Sequence, residues 1–192
     1  MKASVLRRDV LTFALYLLAL ATATLLCDLL LHLAGLVWVG RWLGIPGTLL
    51  ILASFGYSMR KRKLISRGNP VTLLRWHEGL AWLGSLLILV HAGIHFNAIL
   101  PWLATAAMAV NVTSGLTGKF LLARARRHMD AARAELQARG VAQPQGPDIT
   151  HADSLTFDAV RKWRVVHFPI TLAFGVLALA HIVSSLLFWS WR

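Results

Sequence analysis

Cysteine is almost missing from this chain: Cys27 is the only one in 192 residues. With no second cysteine there can be no intramolecular disulfide, no cysteine-rich zinc site and no cysteine-ligated iron–sulfur cluster. The C-x-x-C-H sequence that attaches haem covalently is absent as well, and so is the G-x-G-x-x-G fingerprint of dinucleotide binding. Acidic residues are few, eight Asp and Glu against twenty Lys and Arg, and charged residues make up only 15% of the chain. The resulting net charge of +12 would suit a nucleic-acid binder. The basic residues, however, occupy gaps between apolar runs and lack interleaved base-stacking aromatics, which argues against that class. What the chain has in abundance is hydrophobic residues, 57% with a mean hydropathy of +0.61. That is too apolar for an ordinary soluble domain, and the length suits one unit, residues 1–192.

A bilayer core needs about 20 consecutive apolar residues per helix, and five such runs are present, at 10–33, 36–58, 73–96, 98–121 and 165–189. The expected fold is therefore all-α, a polytopic bundle of five transmembrane helices. Lys2, Arg7 and Arg8 precede the first run, and Ala21-Thr22-Ala23 mimics a signal cleavage site. The hydrophobicity nevertheless continues to Leu33, longer than a signal core, so this segment reads as a retained span. Arg41 and Pro46 interrupt the outer half of the second run. The only sizeable polar segment covers 122–162: an Ala-, Arg- and Glu-rich start predicts extension of the fourth helix to about Arg139, Gly140 a stop, 143–147 a turn, and Ser154 or Thr156 a cap before the fifth span.

Eighteen of the twenty Lys and Arg fall on one side of these spans, leaving Arg41 and Arg192 opposite. The positive-inside rule then puts the N-terminus and the 122–162 segment in the cytoplasm and the C-terminus outside, as expected in a bacterial cytoplasmic membrane. It also makes the third and fifth spans parallel.

Against that frame four histidines stand out. His77 and His91 lie fourteen residues apart in the third span, and His167 and His181 fourteen apart in the fifth. Fourteen helical steps fall about 40° short of four turns and rise about 21 Å, so both members of a pair share a face within the hydrocarbon thickness. Two such helices side by side present facing imidazoles at two depths, with His77 opposite His167 near the inner face and His91 opposite His181 near the outer. Six-coordinate haem needs one ligand on each side of the ring, and neutral imidazole serves both redox states. With no covalent attachment motif, the expected cofactors are two non-covalent haems b, with those four histidines as iron ligands.

Neighbouring residues invite further readings. Arg75 and Arg164 stand two and three residues before the inner ligands, where they are placed to meet haem propionates. His95, one turn beyond His91, is a candidate for the outer haem edge or a quinone site. Asp28 and His32 form an i, i+4 pair in the first span, open to proton handling or a simple interhelical bond. Glu78 follows His77 as a supporting or partner-facing carboxylate, while His128 and His151 fall in the polar segment. Gly84, Gly115, Gly118 and Gly175 either clear room for a macrocycle or pack helices together.

The segments Arg75-Trp76-His77-Glu78 through His91, and Trp163-Arg164-Val165-Val166-His167-Phe168-Pro169 through His181, resemble the ligand helices of the ferric-reductase-like transmembrane family, which includes the membrane domains of NADPH oxidases. That family holds an inner and an outer haem b between paired histidines of its third and fifth helices. The resemblance implies His77 and His167 for the inner haem and His91 and His181 for the outer. It covers about residues 1–121 and 160–192 and rests on the four histidines and their flanks. Cytochrome b of the bc complexes uses a similar arrangement, but its Pro-Glu-Trp-Tyr loop is absent here. The family usually adds a sixth span and a flavin and nicotinamide domain. Their absence from this sequence points to electron exchange with a separate redox subunit (flavin, iron–sulfur or c-type cytochrome) or a membrane quinone.

The expected function is a di-haem b membrane cytochrome carrying electrons across the bilayer within a redox complex. A quinone-linked anchor subunit, comparable to those of formate dehydrogenases or nitrate reductases, is the nearest alternative. A metal-ion transporter using His with Asp28 or Glu78 is the alternative of another class.

Overall fold

The computed structural model describes residues 2–66, 68–93, 99–138 and 151–188. Seven helices make up the regular structure among these residues: α1 (Lys2–Leu33), α2 (Val37–Trp42), α3 (Gly44–Ser54), α4 (Gly56–Lys61), α5 (Pro70–Gly93), α6 (Ile99–Ala138) and α7 (His151–Phe188). Five stretches are long and apolar enough to cross a membrane: Val10–Leu33, Val37–Lys61, Pro70–Gly93, Ile99–Phe120 and Val160–Phe188. Large apolar side chains cover the outside, Leu25 being 70% and Leu187 71% exposed. That is the surface of a chain whose solvent is lipid.

Local sequence explains most helix ends. α1 closes with Gly35 at φ +67, the Leu36 N–H donating to the Leu31 carbonyl at 2.8 Å and the Gly35 N–H to His32 at 3.1 Å. Such a C-terminal closure needs the left-handed conformation glycine adopts without penalty. α5 starts at Pro70 with the Asn69 side chain accepting from the Val71 N–H at 2.9 Å, a cap followed by a proline whose missing N–H is not needed there. This start places the third span at Pro70–Gly93, three residues earlier than its hydropathy suggests.

The second span is broken twice. Pro46 supplies no N–H to the preceding turn, and the chain tightens so that the Leu43 N–H reaches the Gly40 carbonyl at 3.3 Å. A second break, which neither Arg41 nor Pro46 foreshadows, falls at Phe55, whose N–H donates to Leu52 at 3.1 Å. The fourth span continues without interruption into the polar extension, as its composition predicts, and is helical through Ala138, the last described residue there. At the other side of the polar segment the expected cap is corrected: α7 begins at His151, so Ser154 and Thr156 lie inside it. The helix starts well before its apolar stretch, and the cap belongs to the helix rather than to the span. Gly140, the 143–147 turn and His95 lie outside the described residues.

The spans pack as two hairpins. In the first, α3 lies against α5 so closely that a Cβ on Gly84 would stand 2.9 Å from the Gly47 carbonyl oxygen, and one on Gly47 3.0 Å from that of Gly84. In the second, α6 packs along α7, with the Trp163 ring occupying the space above Gly118. Gly84 and Gly118 therefore serve helix packing. Gly175 has nothing within 4 Å. α1 rests on both hairpins: Phe13 meets Phe120 of α6 edge-on at 6.0 Å, the Tyr16 ring centre lies 4.7 Å from Lys119 of α6, and Asp28 stands against Gly93 of α5, while Lys119 also bridges Glu78 of α5 at 3.0 Å. Between α5 and α7, no two described Cα atoms come within 8 Å. The histidine-bearing helices are thus neighbours separated by a gap.

Candidate functional site

The imidazoles of the two hairpins meet across that gap. His91 of α5 faces His181 of α7 with ring centres 6.4 Å apart and ring planes 50° apart. At the other level His77 and His167 are electrostatic neighbours. The pairing expected from the fourteen-residue spacing is the one the fold brings together. All four rings are partly buried.

Each hairpin partner holds the rings in place. The His77 Nδ1–H donates to the Ser54 carbonyl at 2.9 Å, and the His91 Nδ1–H to the Gly40 carbonyl at 3.3 Å. A carbonyl can only accept, so both rings carry their proton on Nδ1, and in the neutral form Nε2 holds the lone pair that a metal uses. Ligating histidines are commonly oriented in this way. The two acceptors are themselves fourteen residues apart, and each stands within a few residues of a break in the second span. Antiparallel pairing with α5 brings this matched pair of carbonyls level with the matched pair of rings. Gly44 lies beneath His91, where a Cβ would be 3.0 Å from Cδ2.

In the second hairpin, His167 Nδ1 lies 3.0 Å from the Ser114 hydroxyl. Trp163 stacks on the His167 ring at 5.0 Å and 22°, and its Nε1–H donates to the Ser114 carbonyl at 2.7 Å. The Thr171 hydroxyl sits 2.8 Å from Asn111 Oδ1 and 2.9 Å from the His167 carbonyl, beside Pro169 in the helix interior. One expected result follows here. Trp163→Phe keeps a ring over His167 but removes the indole hydrogen bond, worth about 1 kcal/mol. Any chromophore on the His77–His167 pair should shift its absorption or potential, while one on the His91–His181 pair stays unchanged. Equal shifts at both levels would refute this local role.

The remaining candidates divide. Arg164 is exposed at the start of the fifth span and acts electrostatically on Lys61, and Arg62 lies 5.1 Å from the Phe168 ring centre. Arg75 shares an outward face of α5 with Thr72, Trp76 and Gly79. Two residues of helix turn it about 200° from His77, away from that ring's side. Glu78 is engaged with Lys119. His32 Nδ1 stands 3.6 Å from Asp28 Oδ1. His128 lies in α6 and His151 opens α7.

Reading the sequence alone misses Gly40, Ser54, Ser114 and Trp163. The carbonyls are invisible to residue-type arguments, yet the fourteen-residue step could have been carried back from the third span to the second to find them. Among the described residues no three His, Cys, Asp or Glu side chains converge as a metal-ion cage would require. Paired imidazoles across a slot suit a flat metal macrocycle that supplies the other ligands itself. No protein-family model, curated protein or solved structure matches the chain.

Proposed function

We propose that the chain is a di-haem b-type membrane cytochrome that moves electrons between the two faces of a membrane as a subunit of a larger redox system. The observation that carries this reading is the His91–His181 separation. With metal–nitrogen bonds of about 2.0–2.1 Å, the length of a zinc–histidine bond, two imidazoles that both turned Nε2 to one metal would have ring centres about 6 Å apart. In the structure the two ring centres are 6.4 Å apart. The α5–α7 gap and the Nδ1–H bonds to carbonyls support the same reading.

Haem, when bound, supplies a reversible one-electron change at iron. The chain's own residues hold it. His77 with His167 and His91 with His181 fix its two levels, Ser54, Gly40 and Ser114 hold the ring orientations, and the apolar helices exclude water, so that little rearrangement accompanies a change of charge. Arg164 and the basic stretch from Arg60 to Lys63 offer cations to inner propionates. The distribution of Lys and Arg supports a cytoplasmic N-terminus and an exterior C-terminus in a bacterial inner membrane. On this orientation the His77–His167 level is the cytoplasmic one. The histidine helices and their direction also support kinship with ferric-reductase-like membrane domains. Partners are then a flavin, iron–sulfur or c-type cytochrome subunit, or a membrane quinone. Metal-ion transport finds less support, since its binding site would need more converging donors than the described residues provide.

The test is a dithionite-reduced spectrum of the purified chain with a pyridine haemochrome and protein determination. About two b-type haems per chain are expected. A colourless protein after expression with ample haem supply would overturn the proposal.

A further inference from the structure

Asp28 lies in α1 at the end of the bundle that holds His91, facing α5 where that helix carries Gly93: a Cβ there would stand 3.7 Å from Asp28 Oδ1. Oδ1 is inaccessible and has no hydrogen-bond partner among the described residues. An ionised carboxylate so placed in a membrane costs several kcal/mol unless a ligand or a proton satisfies it. The nearest cationic candidate, His32, is no substitute. Its Nδ1 is 3.6 Å from Oδ1, beyond hydrogen-bond range, and the Nδ1–H donates to the Asp28 backbone carbonyl at 2.8 Å. Nε2 of the neutral ring is then an acceptor. The pair thus offers a carboxyl group, able to donate when protonated and accept when ionised, and an imidazole acceptor one turn away. His32 is 51% exposed on its side chain. The surrounding α1 surface is apolar and exposed at Leu25, Leu29, Leu30 and Leu33. A ligand reaching the pair therefore comes from the lipid phase, carries an apolar body, and presents oxygens that either accept or donate.

We propose that Asp28 and His32 form the polar head-group site of a membrane quinone, at the same end of the bundle as the His91–His181 pair and across α5 from it, since Gly93 is turned about 200° from His91. A quinone carbonyl accepts from protonated Asp28. A quinol hydroxyl donates to the Asp28 carboxylate or to His32 Nε2. Binding rests on these residues alone, whereas its use in electron exchange rests on the di-haem reading.

The test uses the full chain in lipid nanodiscs, titrated with a short-chain ubiquinone and a short-chain menaquinone. Binding is followed by tryptophan fluorescence quenching and by the Asp28 carboxyl stretch in infrared difference spectra. Asp28→Leu and His32→Leu suit a helix surface in lipid, and haem content measured on the same samples separates loss of fold from loss of site. At least tenfold weaker quinone binding is expected in both variants with haem content retained. An Asp28 band that moves with quinone in the wild type supports the proposal. Wild-type affinity in both variants would overturn it, as would a band that follows phosphatidylethanolamine content instead, which would assign the carboxylate to a lipid ammonium group. Quinone binding to a chain that proves to lack haem would leave the site standing and overturn only the cytochrome reading.

Discussion

Alanine in place of His91 or His181 is expected to lower the haem content from about two to about one per chain, and alanine at His77 or His167 to do the same at the other level. On the proposed reading each ring would supply one of the two protein ligands of a haem iron. Its partner stands on the far side of a gap that α5 and α7 do not close by packing, since their described Cα atoms stay beyond 8 Å of one another. Removing one imidazole would then leave a haem iron with a single protein ligand, in a gap that α5 and α7 do not close. A variant that still retains haem should show a high-spin signal in place of the six-coordinate one. The two members of a pair should lose the same spectral component, and members of different pairs should lose different ones. His128→Ala, on the polar extension of α6, should keep both haems. Full haem with an unchanged low-spin spectrum in all four ligand variants would remove the basis for the proposed function.

Valine at Gly84 is expected to perturb both levels at once, although Gly84 touches neither pair. An added Cβ would meet the Gly47 carbonyl at 2.9 Å and Ile51 Cγ1 at 3.0 Å, and a backbone oxygen cannot rotate aside as a side chain can. Overpacking of this kind costs about 1–3 kcal/mol. The strain is relieved by moving α3, and α2 joined to it through Leu43, away from α5, which draws the Gly40 and Ser54 carbonyls off His91 and His77 together. A lower midpoint of thermal denaturation should thus accompany spectral or potential shifts at both haems. Gly175→Val supplies the contrast, because nothing lies within 4 Å of the added carbon. A Gly84→Val protein with native stability and both spectra unaltered would show that the second span does not hold the rings.

The five spans are legible in the sequence because lipid demands long apolar helices with internally satisfied backbones, a requirement that hydropathy measures directly. Their bounds moved by a few residues where local chemistry took over, as at Asn69-Pro70, whose capping start lies outside the apolar run. The break at Phe55 left no comparable mark, since no proline or charged residue flags it. Of the site, the side-chain half could be read: four imidazoles at a fixed step on two spans. The backbone half could not. Carbonyls at Gly40 and Ser54 have no residue signature, and Trp163 reads as an ordinary interfacial aromatic until α6 is seen to bring Ser114 and Gly118 beneath it.

By itself the sequence determined that this is a helical membrane chain with histidines at matched depths, because helical periodicity and the apolar thickness of a bilayer act on each segment independently of its neighbours. Which helices touch, and which stay apart, was decided only by the tertiary structure. Close glycine contacts draw α3 onto α5, and the Trp163–Gly118 contact draws α6 onto α7. The two hairpins so formed leave α5 and α7 facing one another across a space. Side-chain volumes at a few contact points set that spacing, and such volumes act only between segments already folded against each other.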